Sequence, residues 1–133
     1  MSLLQQFPGD RYYADQQQAL KALENRSQFN VIDFATGWKT DFIIAQDSAY
    51  SRSALARRML IDVGGTAVYV AAPEDVLLAK LQWAQRGESD RQLQDAAGII
   101  KTQGSNLDLS YIERWVRELH LEEQWRAVRE RRF

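Results

Sequence analysis

The stretch FNVIDFATGWKTDFIIA, Phe29–Ala45, decides how the rest of the chain is read. Two runs rich in Phe, Ile and Val flank Thr36-Gly37, the pattern of a β-hairpin closed by a Gly-containing turn. With Thr36-Gly37 as a two-residue turn, Asp33 faces Thr40 and Ile32 faces Asp41. Because side chains alternate along a strand, Asn30, Ile32, Phe34, Lys39, Asp41 and Ile43 share one face. Phe29, Val31, Asp33, Thr40, Phe42 and Ile44 share the other. A loop one residue longer would reverse the grouping. Asp41 is the leading functional candidate. A carboxylate in so apolar a run either meets solvent or does chemistry, since burying it unpaired costs on the order of several kcal/mol.

Outward from the hairpin, the sequence punctuates itself. Leu3 to Phe7 reads as the end of a helix stopped by Pro8-Gly9, and Arg11-Tyr12-Tyr13 as a short strand. Asp15 is placed to cap a helix reaching about Asn25, with Ala19, Leu20, Ala22 and Leu23 as its apolar side. Ser48 or Ser51 opens a short helix through Ala56. Arg58 to Val63 and Thr66 to Ala71 form a second hairpin around Gly64-Gly65, with Met59, Ile61, Val63, Val68 and Val70 expected on one buried face. Pro73 suits the first position of a helix packed through Val76, Leu77, Leu81 and Ala84 and broken at Gly87. Glu74-Asp75 is the acidic pair that complements the dipole of its first turn. Ser89 caps the next helix (Leu93, Ala96, Ala97, Ile100), which Gly104 ends. Asp108 caps another (Ile112, Trp115, Val116, Leu119), and a last helix carries Leu121, Trp125 and Val128. Hairpins followed by helices predict an α+β fold, a small antiparallel or mixed sheet of two hairpins packed by helices. One domain of 133 residues is expected, residues 1–72 holding the sheet portion and 73–133 the helical portion.

Composition removes whole classes of chemistry. With no cysteine, disulfides, zinc–thiolate centres and thiol nucleophiles are excluded, and a single His120 excludes any two-histidine motif. His120 sits between two helical stretches and reads as a capping or surface residue. Seventeen basic against eighteen acidic residues leave a net charge of −1, which gives no strong nucleic-acid signal. Arg126, Arg129, Arg131 and Arg132 read as a solvated helix end. No apolar run is long enough to span a membrane and no leader pattern is visible, so a cytoplasmic location is expected. The spacing of Gly64-Gly65 is not that of a phosphate loop. Asp90, Arg91 and Asp95 read as helix-surface charges, with Arg91 and Asp95 one turn apart. Lys80, inside an apolar helix, is expected to snorkel or meet a carboxylate. Beside Lys39 and Asn30, Asp41 has the chemistry to hold a cation or accept a hydroxyl proton, but one carboxylate is a poor magnesium site and Asp33 lies on the other face.

The hairpin FNVIDFATGWKTDFIIA, the strands RMLIDVGGTAVYVA, the joint APEDVLLAKLQWA and the segment SDRQLQDAAGIIK resemble the later part of bacterial nucleotidyltransferase-like proteins, in the superfamily of DNA polymerase beta and the antibiotic nucleotidyltransferases. The resemblance runs from Phe29 to about Leu119. It implies a site in which three carboxylates hold magnesium and a nucleoside triphosphate, two of them from a D-x-D pair after a Gly-Ser helix start. Asp41 matches the third, as catalytic and metal-binding acid, with Lys39 and Lys80 as candidate substrate-binding cations. The Gly-Ser and D-x-D elements are absent, so the chain is read as truncated or degenerate. Magnesium is expected only if an upstream segment supplies the missing carboxylates, and a nucleotide only in an intact relative. Two functions follow: a nucleotidyltransferase-like domain inactive as this chain, or a non-catalytic interaction module such as a toxin–antitoxin component. A homodimer is expected, joined at the Asp41 strand edge or by exchange of the segment before Phe29.

Overall fold

A computed structural model describes residues 3–87 and 89–131, with Ser89 described in its backbone alone. The fold is α+β, with two separate antiparallel sheets rather than one. Two compact units divide the chain, Met1–Ser51 and Arg52–Phe133.

The first unit is a three-stranded sheet with one helix. A 3-10 turn, Leu4–Gln6, stands where the end of a helix was expected. Strands β1 (Tyr12–Tyr13), β2 (Gln28–Asp33) and β3 (Lys39–Ile43) lie in the order β1-β2-β3, so β2 is central and β3 outermost. Helix α1 (Gln16–Asn25) starts at Asp15, whose carboxylate accepts from the backbone N–H of Gln17 at 2.8 Å and of Gln18 at 3.3 Å. That occupies two of the donors that the first turn leaves unpaired.

The β2–β3 register differs from the expected one. Asn30 faces Asp41 and Ile32 faces Lys39, a slip of two residues. The connection has five residues, Phe34 to Trp38, because Asp33 ends β2 and does three jobs there. Its backbone N–H donates to the Trp38 carbonyl at 2.8 Å, its carbonyl accepts from Gly37 N–H at 2.7 Å, and its carboxylate accepts from Ala35 N–H at 2.9 Å. Gly37 supplies the left-handed backbone, φ 74°. A slip of two preserves parity, so the expected faces survive. Phe29 and Val31, with Phe42 and Ile44 beside them, pack on Ala19 and Ala22 of α1, while the face of Asp41 lies away from that core. Leu20 and Leu23, expected on the packing side of α1, are exposed instead. The Ala19–Ala22 stripe alone fits against the sheet.

Helix α2 (Ala49–Ala56) starts after Ser48, whose hydroxyl accepts from Ser51 N–H at 3.1 Å, and runs across the division between the units. In the second unit, β4 (Met59–Val63) and β5 (Thr66–Val70) form a hairpin on a Gly64-Gly65 turn, both glycines at positive φ. Met59↔Val70 and Ile61↔Val68 pair as expected. The face they form is not buried: Met59, Ile61 and Val63 are exposed, and so are Leu60 and Tyr69 on the other side. Among the described residues no third strand joins this sheet.

Helices α3 (Pro73–Gln85), α4 (Ser89–Gln103), α5 (Leu109–Glu118) and α6 (Glu122–Glu130) surround the second core, made of Leu77, Leu78, Leu81, Ala96, Ala97, Ile112, Trp115, Val116, Leu121, Trp125 and Val128. Pro73 opens α3 as expected, and Asp108 caps α5 through Tyr111 N–H at 3.1 Å. Gly87 and Gly104 end their helices with positive φ. The Ser89 side chain and Arg132, both named above, lie outside the described residues. The α5–α6 corner is closed by His120 at φ 56°, with Leu121 N–H reaching back to the Val116 carbonyl at 2.8 Å. This 6→1 bond buries Leu121 completely. His120 is therefore the helix-ending residue its position suggested.

Candidate functional site

Asp41 stands in the middle of the outermost strand of the first sheet, on the face turned away from the core. Its side chain is 51% exposed, and its charged neighbour is Lys39, two residues back on the same face, with Nζ 3.6 Å from Oδ1. Asn30 lies opposite it on β2, so the structure brings together Asp41, Lys39 and Asn30. Solvent, rather than an internal partner, accounts for a carboxylate in this apolar run.

Asp33 is engaged elsewhere. Arg11 grips it with two bonds, Nε to Oδ1 at 3.2 Å and Nη2 to Oδ2 at 3.1 Å. The Arg11 hydrogen bond, helped by the Ala35 N–H, holds the Asp33 carboxyl down to about 2. Among the described residues no three His, Cys, Asp or Glu side chains stand together as a ligand set. The groups around Asp41 do not fit a magnesium ion by themselves, because its single carboxylate is already offset by an ammonium group.

Lys80 belongs to the second unit, where Nζ meets Asp95 Oδ2 at 3.1 Å across α3 and α4. This ion pair, rather than one between Arg91 and Asp95, uses the Asp95 carboxylate. It edges a shallow groove of about 620 Å3 whose lining includes Val76, Gly98, Ile99 and Thr102. At the end of the chain Arg131 bonds Asp90 at 2.6 Å, and the Arg129 guanidinium lies over the Trp125 ring.

The most highly organised polar cluster was not anticipated. Glu74 is 6% exposed and Asp75 3%. Arg57, just after α2, spans both carboxylates, with Nη2 to Glu74 Oε1 at 2.6 Å and Nε to Asp75 Oδ2 at 3.2 Å. The Tyr111 hydroxyl donates to Asp75 Oδ1 at 2.7 Å and stands 3.0 Å from Ser53 Oγ, while its ring lies 3.7 Å beneath the Arg57 guanidinium. Glu74 Oε2 also accepts from Asp108 N–H, at 3.3 Å. Burial weakens the Arg57 charge, but Asp75, Tyr111 and Glu74 outweigh it and keep the guanidinium more basic than usual. Burial likewise raises the Tyr111 hydroxyl above its ordinary value.

A sequence signal for this cluster exists. Glu74, Leu77, Leu78 and Leu81 follow helical spacing, which puts the glutamate at the head of the buried stripe. The cluster joins the start of α3 to the start of α5, and its acceptors are filled from within. It does structural work.

Comparison of the chain with family models, with curated proteins and with solved structures finds no match.

Proposed function

We propose that this chain is a nucleotidyltransferase-like domain that does not transfer nucleotide by itself and serves in the cytoplasm as a non-catalytic interaction module, of the kind found in toxin–antitoxin pairs. One observation carries the interaction reading: the β4–β5 hairpin keeps Met59, Leu60, Ile61, Val63 and Tyr69 at the surface. A lone two-stranded hairpin with apolar side chains exposed on both faces is marginal in water and gains from a partner. The surroundings of Asp41 support the other half. Phosphoryl transfer runs on clustered charge that positions metal and phosphates, whereas Asp41 stands beside the ammonium of Lys39 and belongs to no group of three ligand side chains among the described residues.

Calorimetric titration with magnesium–ATP tests the reading. The expected result is no binding tighter than about millimolar. Micromolar affinity that Asp41→Asn abolishes would overturn it and make this chain a self-sufficient nucleotide-binding domain.

A further inference from the structure

The geometry points to a second copy of this chain as the hairpin's partner, paired antiparallel through the outer edge of β5 about a two-fold axis at Val68. The inference rests on the interaction-module reading above and names its occupant.

Three strands lie at sheet edges with comparable length: β3, β4 and β5. Charge on an edge strand opposes pairing. Strand β3 carries Lys39 and Asp41, and β4 carries Asp62, whose carboxylate accepts from Gly65 N–H at 2.8 Å. Strand β5 reads Thr66-Ala67-Val68-Tyr69-Val70, without a charge, a proline or a glycine. It is the undefended edge. The dimer expected at the Asp41 strand is therefore better placed here.

The sequence of β5 is self-complementary. A two-fold axis at Val68 sets Val68 against its own copy and Thr66 against Val70 on one face, pairs of β-branched residues that sheets favour. On the other face small Ala67 meets large Tyr69. No like charges oppose, and a net charge of −1 per chain adds almost no repulsion. The product is a four-stranded sheet in the order β4-β5-β5-β4, above the size at which sheets become stable on their own.

Area sets the strength. The exposed apolar side chains of the hairpin present on the order of 500 Å2, at the top of the range for a monomer's largest patch. Edge pairing covers only part of that, on the order of 800 Å2 summed over both copies, which lies below the standard interface and suits reversible association. Association at that size is expected to be weak, with a dissociation constant of roughly tens of micromolar.

The absence of cysteine makes the test clean. Residues facing each other across an antiparallel pair have Cα atoms about 4.5–5.5 Å apart, inside the range a disulfide spans. Val68→Cys is expected to form a covalent dimer under mild oxidation at about 50 μM, near the expected dissociation constant. Leu60→Cys, on β4 and more exposed than Val68, lies three strand spacings across and two residues along from its counterpart, about 16 Å, and is expected to cross-link at least tenfold more slowly. Equal rates for the two variants, or no cross-linking of Val68→Cys, overturn the β5 seam. So does sedimentation showing only monomer at about 200 μM, well above that dissociation constant. A dimer by sedimentation in which Val68→Cys stays reduced overturns the seam and leaves the interaction reading standing. Micromolar magnesium–ATP binding removes that reading whichever way the cysteines behave.

Discussion

Replacing Arg57 with Leu removes the cation that faces two buried carboxylates. At an effective dielectric constant of about 20, each pair at about 3 Å attracts by roughly 5 kcal/mol, an upper bound before the cost of dehydration. Breaking a buried pair from one side costs about 3–5 kcal/mol, because the remaining charge stays in place without its counter-ion. The Arg57 side chain is 31% exposed, so water and salt screen part of the attraction. The expectation is therefore the lower end, about 3 kcal/mol, or a fall in Tm of roughly 10–20 °C if the second unit unfolds as one cooperative block. Urea denaturation of the wild type and of Arg57→Leu measures it. The reasoning makes a second demand: in an Asp75→Asn, Glu74→Gln background the same substitution should cost no more than about 1 kcal/mol, since no charge is left stranded. A loss below about 1 kcal/mol in the wild-type background, or equal losses in both, would refute the account.

The remaining predictions concern single positions. Asp33, held down to about 2 from an ordinary value of 3.8, stabilises the first unit fully above the ordinary value and loses that contribution as pH falls through about 2. The stability gap between wild type and Asp33→Asn should thus stay level at neutral and mildly acidic pH and close under strong acid, as followed by circular dichroism. Asp41→Asn should change stability by less than about 0.5 kcal/mol, as at other exposed sites. A large loss of Tm would make the carboxylate a structural partner. His120→Gly should stabilise by about 1 kcal/mol, because His120 holds φ 56° with an exposed side chain and the bond that Gln85 makes there goes to its carbonyl. A chemical-denaturation midpoint that fails to rise would contradict this.

What the sequence revealed was mostly local backbone chemistry. Asp15, Asp108, Pro73, Gly87 and Gly104 mark element ends because each acts on its own turn, within reach of a few residues. The Asp41 face was legible for a similar reason: parity along a strand survives any error of two in register. The register itself was not, because the loop length depends on three hydrogen bonds of Asp33 that compete with a two-residue turn. The alternation of β4 and β5 announced strands and said nothing of what covers them. Burial is a property of neighbours, and Met59, Ile61 and Val63 have too few to bury them. The Arg57–Glu74–Asp75–Tyr111 cluster escaped for want of proximity. The bonds that hold it together join residues 17 to 36 positions apart, and an acidic pair at a helix start already has an ordinary dipole explanation.

The same cluster sets an order of assembly during synthesis. Among the described residues every strand pairing is antiparallel and joins segments close in sequence, so the hairpins and the first unit can form as soon as their residues leave the ribosome. The second unit cannot finish on that schedule. Ser53 waits for a tyrosine 58 positions later, and until Tyr111 and the Asp108 N–H arrive, Glu74 and Asp75 lack the two donors that α5 and its cap supply. The nascent chain therefore carries a hydrated, half-built acidic pair for the 36 positions between Asp75 and Tyr111, and the arrival of α5 is the event that seals it from water.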